Sequence, residues 1–218
     1  EVVSYPLISL SALDAVGALS SGVSPIRVSN PINSELEYLR TSLRSSLLQI
    51  VHSNLSVSRG ESVRIFEIGK VYLSRGIADD QELPDEREML VGIAVGSRFH
   101  TSWLVQDDGM NFFDAKGILD ATLSQISVAA HYDDSRDSFF QPGRGAQLTV
   151  SNRVIGVVGE VYHEVLEAFD LVGSAVSLFE LDLEELYAAS FNLSGGYVRP
   201  SRFPGAERDL AVIVDTSV

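Results

Sequence analysis

The 218-residue chain contains no cysteine. That absence excludes a disulfide scaffold, a cysteine nucleophile and a thiolate-held zinc. Positive charge is scarce: 16 Lys and Arg stand against 30 Asp and Glu, a formal charge of −14. Phosphate-rich partners are gripped through Lys and Arg with release of counterions. So acidic a domain is a poor main grip for nucleic acid, and its charge suits a solvated, self-repelling surface. No uninterrupted apolar run approaches the roughly 20 residues that span a bilayer. The opening Glu1-Val2-Val3-Ser4-Tyr5 lacks the basic and apolar regions of a secretory signal. It reads like the inside of a strand, as if cut from a longer chain. No membrane association and a cytosolic setting are expected.

What is present is enough for a core. Hydrophobic residues make up 45% of the chain and the mean hydropathy is +0.13, unlike the composition of disordered segments. Val2 to Leu10 alternates as a strand would. Ile26 to Pro31 reads as a second, short strand ended by Asn30-Pro31, because the residue before proline avoids the helical region. Leu43, Leu47, Ile50 and Val51 fall at helical spacing, which predicts a helix from about Thr41 to Ser53 with Thr41 or Ser42 as its cap.

The stretch from Ser62 to Ser74 alternates at period two. Val63, Ile65, Val71 and Leu73 share one face; Arg64, Phe66, Ile68, Lys70 and Tyr72 share the other. Apolar groups on both faces predict a strand in the middle of a sheet, covered on both sides. Gly76 to Arg87 is polar and predicts an exposed hairpin connection. Met89 to Ser97 predicts a second buried strand.

Asn111 caps a predicted amphipathic helix carrying Phe112, Leu119, Leu123 and Ile126 along one stripe. Gly117 inside it costs about 1 kcal/mol relative to Ala, which suggests close packing there. Ala146 to Val161 predicts a hairpin turning at Ser151-Asn152-Arg153. A helix near Tyr162 to Phe169 and a strand from Ala175 to Leu183 follow, with Glu184 and Glu185 in the first turn of a last helix. Ser194 to Gly196 marks a break. Helices do not alternate regularly with strands, so the pattern is α+β with an antiparallel-leaning sheet.

Chemical motifs are few. The histidines at 52, 100, 131 and 163 are scattered and form no metal-ligand pair; His52 is assigned to a helix end. No phosphate-binding loop, nucleophile elbow or dinucleotide fingerprint is present. Asp79-Asp80, Asp107-Asp108 and Asp133-Asp134 read as solvated loop acids. Gln141 to Ala146, with glycines flanking Arg144, presents either an anion nest or, preferred, a tight turn entering a strand. Glu67 falls on the apolar face of its strand. A carboxylate there needs a partner, and Arg40 or Arg44 on the preceding segment can supply it.

Six strings occur in order: Asn30–Leu43, Val63–Leu73, Asn111–Gly117, Pro142–Ala146, Ile155–Leu171 and Phe179–Leu186. Together they resemble the β-subunit of bacterial phenylalanyl-tRNA synthetase, in its class II synthetase-like core domain. The residues carrying the likeness are Asn30, Pro31, Arg40, Phe66, Glu67, Gly69, Phe113, Asp114, Lys116, Gly117, Pro142, Gly143, Arg144, Gly159 and Glu160. Arg208 and Asp209 lie in a further string, Arg202–Asp215, that resembles the first strand of the ferredoxin-like anticodon-binding domain. Ala115, Gln141 and Tyr162-His163 depart from the family's usual residues.

The resemblance implies a mixed, mainly antiparallel sheet flanked by helices over residues 1–195. Residues 196–218 would be a linker and the start of a truncated domain. The full enzyme would be a ligase joining phenylalanine to its tRNA with ATP and Mg, the α-subunit carrying the active site. This segment would hold no cofactor, be inactive alone, and support the α-subunit in an (αβ)2 heterotetramer. In isolation it would be prone to self-association. A class II catalytic strand carries Phe-Arg-x-Glu; here the corresponding strand reads Arg64-Ile65-Phe66-Glu67, which puts Arg64 and Glu67 on opposite sides. No arginine occurs between Val161 and Ser194, where the family of active enzymes places an ATP-binding one. The competing readings are an active adenylate-forming domain and a tRNA-contacting module.

Overall fold

A computed structural model describes residues 1–31, 33, 35–58, 62–75, 83–99, 103–104, 109–173, 175–190, 202, 205 and 208–213. Its centre is a six-stranded, wholly antiparallel sheet in the order β3-β4-β8-β7-β6-β5. These strands are β3 (Val63–Leu73), β4 (Asp85–Val95), β5 (His131–Asp134), β6 (Phe140–Val150), β7 (Arg153–Val161) and β8 (Val176–Asp182). A separate two-stranded pair joins β1 (Leu7–Ile8) to β2 (Tyr38–Leu39). The helices are α1 (Leu10–Ala15), α2 (Arg44–Ser58), α3 (Phe112–Gln125), α4 (His163–Ala168) and α5 (Leu183–Ser190).

Helices cover both faces of the sheet. On one, Leu43, Leu47, Leu48 and Val51 at and along α2 bury against Val63, Val71, Val91, Ile93 and Leu178, with Val165 and Leu166 of α4 closing the end. On the other, Leu119 and Leu123 of α3 and Leu186 of α5 bury against Leu148, Val158, Phe179 and Leu181. Six residues of β8, Val176 to Leu181, are buried in succession, as expected of a central strand with both faces covered.

Several local readings hold. Ser151 and Asn152 both take positive φ (49° and 64°) at the β6–β7 turn, the geometry of a tight hairpin. Asn111 caps α3 in a capping box completed by Asp114. The Ser42 hydroxyl accepts from the Arg44 N–H where α2 begins.

Others are corrected. β3 lies at the sheet edge, not its middle, and its Arg64–Lys70 face is open: Phe66 is 40% and Ile68 46% exposed. The outer edge is capped piecemeal, by Val2 N–H on the Phe66 carbonyl and by Tyr72 N–H on the Arg40 carbonyl. Val2 to Leu10 supplies only two strand residues before α1 starts, because Ser9 accepts the Ala12 N–H as an N-cap. Ile26 to Pro31 forms a single bridge, Arg27 to Tyr38. α2 runs on to Ser58, so His52 is interior to it. Ile126 ends α3 at 52% exposure instead of joining the buried stripe. Asp133 and Asp134 belong to β5. Pro142 to Arg144 lie within β6, in an irregular stretch where Gly143 takes φ 74°. Asp79-Asp80, Asp107-Asp108 and Ser194–Gly196 lie outside the described residues. Arg208 to Ile213 are exposed, with no sheet partner among the described residues.

Gly117 has nothing within 4 Å of where a Cβ would stand, so no close packing explains it. Gly156 is the opposite case: a Cβ would lie 2.1 Å from the Glu180 carbonyl and 2.7 Å from Leu181. Gly117→Ala is expected to stabilise the fold by up to about 1 kcal/mol. Gly156→Ala is expected to cost about 1–3 kcal/mol. Urea unfolding of the two variants, with unchanged slopes, checks both signs.

Candidate functional site

The α2-facing side of the sheet gathers most of the buried charge. Glu67 points there because it shares a face with Val63 and Val71, and it is 1% exposed. Its partner is Arg40, just after β2: Nη1 donates to Glu67 Oε1 at 2.9 Å. Arg40 also donates from Nε to the Lys70 carbonyl at 2.8 Å and from Nη1 to Ser4 Oγ at 2.7 Å. Ser4 in turn donates its N–H and hydroxyl to the Glu67 carboxylate. Gly69 makes the room, since a Cβ there would lie 2.5 Å from Arg40 Nη2. Buried ions persist when their remaining valences are hydrogen-bonded, as here.

Beside this pair a cleft of about 330 Å³ opens between the start of α2 and the sheet. Arg44 stands in it, 2.8 Å from Asp137 and 2.6 Å from Glu180. Its guanidinium lies 4.6 Å from the Phe139 ring centre, within cation–π range. Burial works against this charge, but Glu180 and Asp137 outweigh it and hold Arg44 above its usual range. Arg87 reaches Asp85 and Asp182, each at 3.1 Å, and bonds to those two carboxylates raise it likewise. Asp182 also caps α5 by accepting the N–H groups of Glu184 and Glu185.

The cleft therefore sets Arg44 and Arg87 against Asp137, Glu180 and Asp182, with Asp85 holding Arg87 from beside it. Both guanidinium groups are engaged by carboxylates and none is turned toward an incoming anion. Adenylate chemistry needs cationic groups aimed at the phosphates. This donor set does not fit ATP and its Mg. Arg64 gives the same result on the opposite face, where it bonds the Arg98 carbonyl and the Met110 sulfur. Among the described residues no group of three or more His, Asp or Glu is placed to hold a metal.

A third cluster pins α3. Arg98 grips Asp114 at 2.7 and 2.9 Å, and Asp114 accepts the Asn111 N–H. Glu160 of β7 accepts the Phe112 N–H at 3.1 Å and pairs with Arg144 at 2.6 Å. Gly159 permits this by leaving space for the Phe140 ring, which a Cβ would meet at 2.5 Å. Lys116 pairs with Asp120 and sits 4.2 Å over the Tyr132 ring. Burial and the Asp120 carboxylate raise the Tyr132 phenol well above its usual range.

The structure thus joins Arg40, Glu67 and Gly69 in one cluster and Asp114, Arg144, Gly159 and Glu160 in or beside another. Phe66, Phe113, Arg208 and Asp209 are exposed, and Asn30 and Pro31 lie in a loop. Sequence reasoning missed Asp137, Glu180 and Asp182 as ion-pair acids. For Glu180 the signal was available: an acid in the apolar run Val176–Leu181, the same argument that singled out Glu67.

The family model of the phenylalanyl tRNA synthetase beta chain CLM domain matches residues 1–183. The chain belongs to this family. A phenylalanine–tRNA ligase beta subunit of Dehalococcoides mccartyi is 32% identical over 220 residues, covering 100% of the chain and 26% of that protein. Its counterpart in Geobacter sulfurreducens is 31% identical, covering 98% and 26%. That of Cupriavidus pinatubonensis is 36% identical over 199 residues, covering 89% and 24%. The CLM chain spans about a quarter of the length of these relatives. Among solved structures, the pyrrolysyl tRNA synthetase PylSc of Desulfitobacterium hafniense superposes with a TM-score of 0.62 at 17% identity, over 88% of this chain and 62% of that one. The CLM domain therefore has the class II synthetase fold, α+β with a mainly antiparallel sheet.

Two variants test the network. Arg44→Met is expected to cost about 3 kcal/mol by leaving Glu180 and Asp137 unpaired, and adding Glu180→Gln is expected to recover part of it; chemical denaturation of the single and double variants measures this. Asp114 is held below its ordinary 3.8, first by the Arg98 hydrogen bond, against a smaller opposing effect of burial. Its stabilising effect is therefore full above about pH 4 and fades as the pH falls through the lowered value. Asp114→Asn is expected to cost about 1 kcal/mol at pH 7, since it weakens a cap and a partly screened pair. The difference from the parent should shrink below pH 4 in melts across pH.

Proposed function

We propose that this CLM domain is a non-catalytic structural module of the phenylalanine–tRNA ligase beta subunit, packing against the α-subunit and helping to build the heterotetramer. The closed ion-pair network carries this reading: the cleft that could hold a nucleotide is occupied by Arg44 and Arg87, each tied to carboxylates of the same domain. In the full enzyme, ATP and Mg would act at the α-subunit, with phenylalanine and tRNA as co-substrates. Residues 1–195 form the core module in this reading, and 196–218 a linker and the first strand of an anticodon-binding domain. The exposed Leu210, Val212 and Ile213 suit a strand awaiting its sheet. The setting is the cytoplasm, where charged tRNA is used.

Co-expression of the full-length beta chain with its α-subunit should give a co-purifying complex that catalyses phenylalanine-dependent ATP–pyrophosphate exchange. The beta chain alone should give background exchange. Exchange by the beta chain alone, or no complex, overturns the reading. A salt-sensitive gel shift of the beta chain carrying only this domain's charge-reversal variants, unchanged from the parent, is expected; a changed shift favours a tRNA-contacting role.

A further inference from the structure

Two ion pairs on one face of the sheet are held by the same short stretch of chain. Arg40 answers Glu67 at 2.9 Å, and Arg44 on the same stretch answers Glu180 and Asp137 at 2.6 and 2.8 Å. The stretch carries a cost. Among the described residues three buried side-chain polar atoms find no hydrogen-bond partner, and two of them, Thr41 Oγ1 and Ser45 Oγ, lie here. Such a group gives up water without replacement, and its persistence in a fold marks stored strain. Hydroxyls at a helix start bond readily to nearby backbone groups, and Ser45 stands in the first turn of α2. The present placement is therefore enforced from outside the stretch.

Arg40 shows how. Its N–H donates to the Pro6 carbonyl and its own carbonyl accepts the Tyr72 N–H. Its side chain donates to the Lys70 carbonyl, to Ser4 Oγ and to Glu67. Ser4 completes the ring by donating its N–H and hydroxyl to Glu67. Residues 1–6 otherwise lie thinly on the domain. None of them is fully buried, Val3 and Tyr5 are 86% and 79% exposed, and a groove of about 330 Å³ lies between the segment and α2. Few apolar contacts and a polar latch are the marks of a segment that opens locally, below the free energy of global unfolding.

We infer that residues 1–6 are a strap and residues 40–45 a hinge that share one two-state motion, latched by Ser4 on the Arg40–Glu67 pair. With the strap down, Arg40 is fixed at both its backbone and its guanidinium, and Thr41 and Ser45 are held without partners. When Ser4 leaves, Arg40 loses its bonds to Ser4 and Pro6, and the hinge relaxes to satisfy the two hydroxyls. Arg44 moves with the hinge, so its pairs with Glu180 and Asp137 loosen as well. The edge of the sheet is thereby coupled to the cleft. The warrant is a strained element whose equilibrium both ends bias. This motion belongs to the domain itself and does not rest on α-subunit binding.

Hydrogen exchange followed by mass spectrometry on the full-length beta chain tests the coupling. Ser4→Ala removes the latch and leaves both ion pairs. Loss of hydrogen bonds to charged groups lowers local protection by about tenfold or more. That drop is expected in peptides covering 1–6 and equally in those covering 40–48, with the β6–β7 hairpin unchanged. A drop confined to 1–6, or one spread over the hairpin as well, overturns the inference. Thr41→Val with Ser45→Ala removes the two hydroxyls, and with them the drive for the hinge to relax. Added to Ser4→Ala, this pair is expected to return the 40–48 peptides to the parent's protection while the 1–6 peptide stays open. Protection at 40–48 that remains low with the hydroxyls gone overturns it too.

Discussion

A carboxylate in the middle of an apolar sheet face has to be answered, and the answer to Glu67 organises one whole edge of this domain. Arg40 reaches it from the end of β2, Ser4 closes the remaining oxygens, and Gly69 leaves the space. The single ion pair thereby ties the N-terminal segment, the small β1–β2 pair and β3 together. It also explains why β3 tolerates an edge position: Arg40 supplies hydrogen bonds to it through both side chain and backbone, where a neighbouring strand would otherwise have done so.

The same solution recurs across the sheet. Glu180 is met by Arg44, Asp182 by Arg87, Glu160 by Arg144 and Asp114 by Arg98. An overall acidic chain that answers its interior acids in this way has few guanidinium groups left over. These groups face the domain's own carboxylates.

Much of the fold could be read from short range. The β6–β7 turn follows from Ser151-Asn152, and the start of α3 from Asn111 with Asp114 three residues on. The pairing of Glu67 with a nearby arginine followed from period-two counting. The failures share a cause. Period two places Phe66 and Ile68 on a common face but says nothing of whether anything lies over it. Gly117 looked packed because a helical glycine is costly, yet the space beside it is empty. Val2 to Leu10 alternated like a strand, and a serine cap won over the alternation.

The sequence by itself determined the types of the long elements, the strong caps and turns, and which face of β3 carries the acid, because each depends on residues within a turn or two of one another. It also determined the family, through strings kept in order. Only the tertiary structure decided that β8 lies at the centre and β3 at the edge, and that Arg44 answers both Asp137 and Glu180, respectively 93 and 136 positions away. Strand order and long-range charge pairing depend on how the chain crosses over itself, and no local periodicity carries that information.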